Sequence, residues 1–144
     1  MKNLPMNKET FSKRLGELCL RGGASGFPKD PLDQHILLKS AMLSIDPAGE
    51  YSEQEINEKL ENWVQQVGQN KDLDRVTMRR RLVDTGYLLR SSDGSSYQVA
   101  QPAPKSEWFE ADVDQVDPIQ AIEAAREEIA RRKAEYMAKT QAKK

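Results

Sequence analysis

The order of helix-forming and strand-forming runs predicts a mainly α protein with a small β-hairpin. The predicted architecture is a winged-helix-like three-helix core, with an N-terminal helix before it and a long C-terminal helix after it. Three observations carry this. Apolar residues recur at helical spacing in three successive segments between residues 31 and 86. Two short β-prone runs, 87–90 and 97–99, flank an Asp93-Gly94 turn, the strongest local hairpin signal. A Glu50-Tyr51 pair with strand character separates the first two of those helices. Helix, strand, helix, helix, hairpin is the winged-helix order; periodicity alone also leaves an irregular α+β module open.

The first helix is expected over residues 10–20, where Phe11, Leu15, Leu18 and Cys19 share one face. Arg21-Gly22-Gly23 supplies its stop. Asp30-Pro31 reads as an N-cap followed by proline at the first helical position. The helix it opens carries Leu32, Ile36, Leu37, Leu38, Ala41 and Met42 nearly all round, which predicts a central, buried element. Ser52-Glu53-Gln54-Glu55 is a capping box that starts a third helix with Ile56, Leu60, Trp63, Val64 and Val67 on its inner face. Asp72 or Asp74 caps a fourth helix, and Gly86 closes it. The acidic stretch 104–116 reads as a linker, and its Trp108-Phe109 pair either docks back onto the domain, the favoured outcome, or binds a partner. Asp117-Pro118 then opens a final helix rich in Ala, Glu, Arg and Lys, with Ile122, Ile129 and Tyr136 at seven-residue spacing. The expected organisation is a helical extension over 1–26, a core domain over 27–103, the linker over 104–116 and a charged helix over 117–144.

Composition narrows the function. One cysteine, Cys19, excludes an intramolecular disulfide and a cysteine zinc cage, and fits a reducing compartment. One histidine, His35, sits among apolar neighbours with no second ligand near it, so no metal and no cofactor are expected. Its expected role is that of a core-edge histidine bonded to backbone or to a carboxylate. No apolar run is long enough to span a membrane and no secretion signal opens the chain, so a cytoplasmic location is expected. No phosphate-binding glycine motif or nucleophile–base pair occurs, and no enzymatic activity is expected.

Charge is segregated although the net value is only −1. Residues 71–90 carry net +3, residues 107–128 net −7 and residues 129–144 net +5. A local positive field, rather than a high overall pI, is what nucleic-acid binding requires. On a helical wheel of the fourth helix, Val76, Val83, Met78 and Leu82 form a broad apolar arc with Arg79 within it. Arg79 is therefore expected to be structural, its guanidinium paired to a carboxylate such as Glu55. Thr77, Arg80 and Arg81 lie on the opposite face as candidates for phosphate or base contact; Asp74 and Asp84 share that face and repel phosphate, so a solvated mixed-charge helix is the alternative. Arg90 on the hairpin, and Lys71 before the helix, are candidate phosphate contacts. The hairpin tip, Ser-Ser-Asp-Gly-Ser-Ser, carries no cation.

The same segment resembles a bacterial family, the domain of unknown function 2087. The resemblance rests on Phe27-Pro28-Lys29 with Asp33, His35, Leu37 and Leu38, and on Tyr51-Ser52-Glu53 with Glu55-Ile56-Asn57. It continues through Asp74, Val76-Thr77-Met78-Arg79-Arg80, Leu82-Val83-Asp84 and Gly86-Tyr87-Leu88, and ends with Arg90, Asp93-Gly94 and Tyr97. The resemblance implies a winged-helix-like fold and a regulatory, DNA-associated role, since some such domains are appended to regulators of the arsenic-repressor type. The residues preceding the first motif are too few for a separate DNA-binding domain.

Two readings follow. In the first, the chain is a transcription-regulator-like protein that contacts double-stranded DNA through Thr77, Arg80, Arg81 and Arg90. In the second, it is a protein-interaction module that binds no nucleic acid and captures a partner, or a second copy of itself, through Trp108, Phe109, Ile122, Ile129 and Tyr136. In that second reading the core ending near Ala103 is expected to keep its stability without the segment that follows.

Overall fold

The computed structural model describes residues 4–20, 26–68 and 73–142, and local capping chemistry sets most of its boundaries. Helix α1 spans Lys8–Leu20; the stop expected at Arg21-Gly22-Gly23 lies outside the described residues. Helix α2, Pro31–Met42, starts where the Asp30 carboxylate accepts the Asp33 amide at 3.0 Å. Strand β1 is Glu50–Tyr51. Ser52 and Glu55 then exchange reciprocal bonds of 3.1 and 2.9 Å to open α3, Glu53–Trp63, which runs on into a π turn over Val64–Gly68. Helix α4, Arg75–Asp84, is capped by Asp74. It ends in a Schellman arrangement, in which Tyr87 N–H donates to Leu82 O, Gly86 N–H donates to Val83 O, and Gly86 takes a φ of 90° that glycine adopts without strain.

Strands β2, Leu88–Arg90, and β3, Tyr97–Val99, form the hairpin. Strand β1 pairs antiparallel with β3, giving a three-stranded sheet in the order β1-β3-β2. The core lies between α1, α2, α3 and α4 and one face of this sheet, with Leu37, Leu60, Trp63, Met78, Leu82 and Tyr97 fully enclosed. The polar groups taken inside are paired. Trp63 donates its indole N–H to Ser40 Oγ at 2.9 Å, and Ser40 donates to Leu37 O at 2.7 Å.

The segment expected as a linker is instead packed. Its 3₁₀ turns, Ser106–Trp108 and Ala111–Gln115, lay Phe109 and Val113 into the core. Phe109 meets Phe11 edge-on at 5.7 Å, and the backbone of Met6 brackets it through bonds to Trp108 O and from Glu110 N. Burying those two side chains favours the docked form by about 1.5–3 kcal/mol each. Helix α5, Pro118–Ala142, begins under the Asp117 cap and packs its first half on α1. At the crossing, a methyl added to Gly16 would lie 2.7 Å from Ala125 Cβ, so glycine is what lets the two backbones meet. From residue 130 to 141 every residue of α5 is exposed, and this half stands away from the core.

Candidate nucleic-acid interface

The four arginines of α4 divide into two pairs. Arg79 turns inward and donates to Asn57 Oδ1, with Glu53 Oε1 3.9 Å away. Its expected partner, Glu55, is committed to the capping box, where the Ser52 amide holds its carboxyl below the usual range. Glu53 also accepts the Tyr97 hydroxyl at 3.1 Å. Tyr97, Glu53, Arg79 and Asn57 thus tie β3, α3 and α4 into one unit, which fixes the hairpin against α4. Arg75 lies 4.0 Å from Glu61.

Arg80 and Arg81 are exposed, and neither lies within ion-pair distance of a carboxylate among the described residues. The Arg81 guanidinium is 4.3 Å from the centroid of Phe27, a cation–π stack that holds the charge at the surface without cancelling it. Lys29 is exposed two residues further on. Thr77 is half-buried, and its amide donates to Asp74 at 2.7 Å. That bond, with a second from the Thr77 side chain, lowers the Asp74 pKa and commits Thr77 to capping. Arg90 is exposed on β2, its guanidinium folded over the hairpin turn beside Gly94. The turn is held by Asp93, which accepts from Ser91 Oγ, Ser95 N and Ser95 Oγ at 2.7–3.0 Å; these bonds lower its pKa to about 2. Lys71 lies outside the described residues.

Two exposed apolar residues join this surface. Val76, assigned to the buried arc from its wheel position, is 42% exposed and sits one turn before Arg80. Leu89 is 52% exposed beside Arg90. The arc on α4 is wider than the surface that α2 and α3 cover, so its edge faces solvent. An exposed methyl-bearing side chain one turn from an exposed guanidinium group is a surface that can meet both phosphate and a thymine methyl.

The residues assigned to a partner surface scatter. Phe109 and Ile122 are core residues, so neither is available to a partner. Trp108 is half-buried, edge-on to His35 at 5.4 Å and beneath Lys105. Ile129 lines the crevice between α1 and α5, and Tyr136 is 69% exposed. His35 bonds to the Tyr87 hydroxyl through Nδ1 at 2.7 Å, rather than to backbone or carboxylate. Burial, and then the nearby Lys105 ammonium, hold its pKa below the ordinary value. Cys19 is buried. Among the described residues no group of three or more His, Cys, Asp or Glu side chains is placed to hold a metal ion, and no helix is long and apolar enough to cross a membrane.

No curated protein and no solved structure matches the chain. Residues 25–99, about half of the sequence, match the family described as uncharacterized protein conserved in bacteria, DUF2087. The match takes in the residues just before α2 and runs through β3, and so holds Phe27, Arg80, Arg81 and Arg90. The chain belongs to this bacterial family of domains of unknown function.

Proposed function

We propose that this protein is a non-enzymatic, DNA-associated regulatory protein of winged-helix type. In this reading α4 enters the major groove and the β2–β3 hairpin follows the phosphate backbone. The observation that supports it is the exposed setting of Arg80 and Arg81, neither within ion-pair distance of a carboxylate among the described residues, on a helix whose other two arginines lie within 4.0 Å of one. Arg80 supplies a groove or phosphate contact. Arg81, stacked on Phe27, supplies a second, and Arg90 a third from the hairpin. Thr77 acts indirectly, by keeping Asp74 on the helix terminus and its charge in the cap. The single cysteine and the lack of a membrane-spanning helix among the described residues support action in the cytoplasm.

The test is fluorescence anisotropy of a labelled duplex titrated with the protein across a salt series. The Arg80→Ala, Arg81→Ala double variant is expected to weaken binding and to reduce the slope of log K against log salt by about 2, one for each lost phosphate contact. Removing the same number of charges at Arg131 and Arg132 is expected to leave the slope nearly unchanged, because both are already bridged to Glu128. Absence of any anisotropy change with duplex DNA at low salt overturns the proposal. The interaction-module reading retains one observation in its favour: Tyr136 and Met137 are exposed on the projecting half of α5, where a protein partner or a second copy would meet them.

A further inference from the structure

A cleft lies away from α4's exposed face, between the end of α2 and the chain that leaves the hairpin. Its volume is about 470 Å³, within the range of small-molecule sites. Met42, Ile45 and Val99 wall it with apolar surface. Tyr87 also lines it, and its hydroxyl is already engaged by His35, so the ring rather than the hydroxyl is what it offers an occupant. Gln101, another lining residue, donates its side-chain amide to Pro47 O at 2.7 Å.

Only two of the lining residues are charged, Lys39 and Asp114. They form an ion pair of 2.6 Å in which the partners are unequally placed: the Lys39 side chain is 16% exposed and the Asp114 side chain 67%. The Lys39 stem is largely enclosed beside the apolar cleft, and its ammonium takes a carboxylate as counter-ion where the bond meets solvent. The carboxylate that now fills this role comes from a surface turn and is well solvated, so it loses little by release to water. Its position on Lys39 marks where an incoming carboxylate would sit.

We propose that this cleft binds a small amphipathic carboxylate, of the medium-chain fatty acid type. Its carboxylate replaces Asp114 on Lys39, and its hydrocarbon lies along Met42, Ile45, Val99 and the Tyr87 ring. The recognition is charge-specific. An alcohol of the same chain length covers the same walls but leaves Lys39 paired with Asp114, and an amine of that length is repelled by Lys39. The proposal stands apart from DNA binding, since none of these residues belongs to α4.

Isothermal titration of the full chain with sodium octanoate, and separately with 1-octanol, below micellar concentrations is the test. Octanoate is expected to bind once per chain and about threefold or more tighter than octanol, a margin smaller than a whole charge-assisted hydrogen bond because its carboxylate exchanges with that of Asp114. Lys39→Met keeps the stem and removes the charge, and is expected to erase that margin while leaving octanol binding unchanged. Asp114→Asn removes the competing carboxylate and is expected to shift octanoate affinity the opposite way, tightening it several-fold. Should Lys39→Met not fold, the Asp114→Asn result and the octanoate-to-octanol ratio carry the test. Equal affinity for octanoate and octanol, unchanged or weaker octanoate binding in Asp114→Asn, or no saturable octanoate binding at millimolar concentration overturns it.

Discussion

Gly16→Ala puts the α1–α5 crossing to a quantitative test. In an exposed helix interior, replacing glycine by alanine stabilises by about 1 kcal/mol, because the unfolded chain loses freedom and the helix gains propensity. Here the new methyl would stand 2.7 Å from Ala125 Cβ, whereas carbon atoms ordinarily rest about 3.5–4.0 Å apart. The helices must therefore separate by about 1 Å at a seam that also holds Ile122 inside the core. Overpacking of this kind costs about 2 kcal/mol, which reverses the sign and leaves a net loss of about 1 kcal/mol. For a chain of this length that lowers the unfolding midpoint by about 3 °C. In an Ala125→Gly background the obstructing methyl is gone, so the same substitution should stabilise by about 1 kcal/mol. The two backgrounds then differ by a coupling of about 2 kcal/mol, well above the scatter of independent sites. Urea unfolding of the four proteins measures it. A Gly16→Ala protein more stable than its parent, or a coupling near zero, means that α1 and α5 do not meet at this point.

Two further perturbations probe the rest of the structure. His35 is the only histidine, so its ring proton resonances report its titration without assignment; the midpoint is expected below 6.5, and a value at or above 6.5 contradicts the buried pairing with Tyr87. Because the folded form holds fewer protons than the unfolded one in that interval, stability present above pH 6.5 should decline as the pH falls through it, and His35→Gln should flatten that part of the curve. Truncation separates the two halves of the C-terminal region. Ending the chain after Ala103 removes Phe109, Val113 and Ile122 from the core and should abolish cooperative thermal unfolding, since three such losses approach the stability of a whole domain. Ending it after Ile129 removes the exposed residues 130–141 of α5 and should move the midpoint by less than about 2 °C; the reverse ranking of the two truncations refutes the packing described.

What was legible in the sequence is what depends on neighbours three or four residues apart. Asp30, the Ser52–Glu55 box, Asp74, Gly86 and Asp117 each act within one helical turn, so residue type and spacing determine the bond. The hairpin was legible for the same reason, since Asp93 holds a turn of its own immediate neighbours. Contacts set by how elements cross were not. Arg79 finds Asn57 and Glu53 rather than Glu55 because the rotation of α3 against α4 selects the carboxylate, and wheel positions on one helix do not contain that rotation. Val76 was misassigned because an apolar arc records the capacity for burial, not the surface available to cover it. The bracket of Met6 around Phe109 joins residues about a hundred positions apart, and the only local sign of it was two large aromatics in an acidic stretch.

The acidic stretch bears directly on the choice between the two functional readings. Taken as a sequence, net −7 over residues 107–128 suggests a surface for a basic partner. In the fold much of that charge already serves local ends. Asp112 accepts the Lys8 amide at the start of α1, Asp114 neutralises Lys39, Asp117 caps α5, and Glu128 bridges Arg131 and Arg132. Carboxylates at helix N-termini and beside ammonium or guanidinium groups are explained by the dipoles and charges they face, and need no external cation. The same reasoning applied to α4 gives the opposite result: Arg80 and Arg81 have no such internal account, and Arg81 is kept exposed by an aromatic face that stabilises the charge without neutralising it. A charge with a partner inside the fold contributes to folding. On α4 the two that lack one among the described residues are therefore a place to look for a polyanion, and the salt slope of DNA binding, not its affinity alone, is the quantity that counts them.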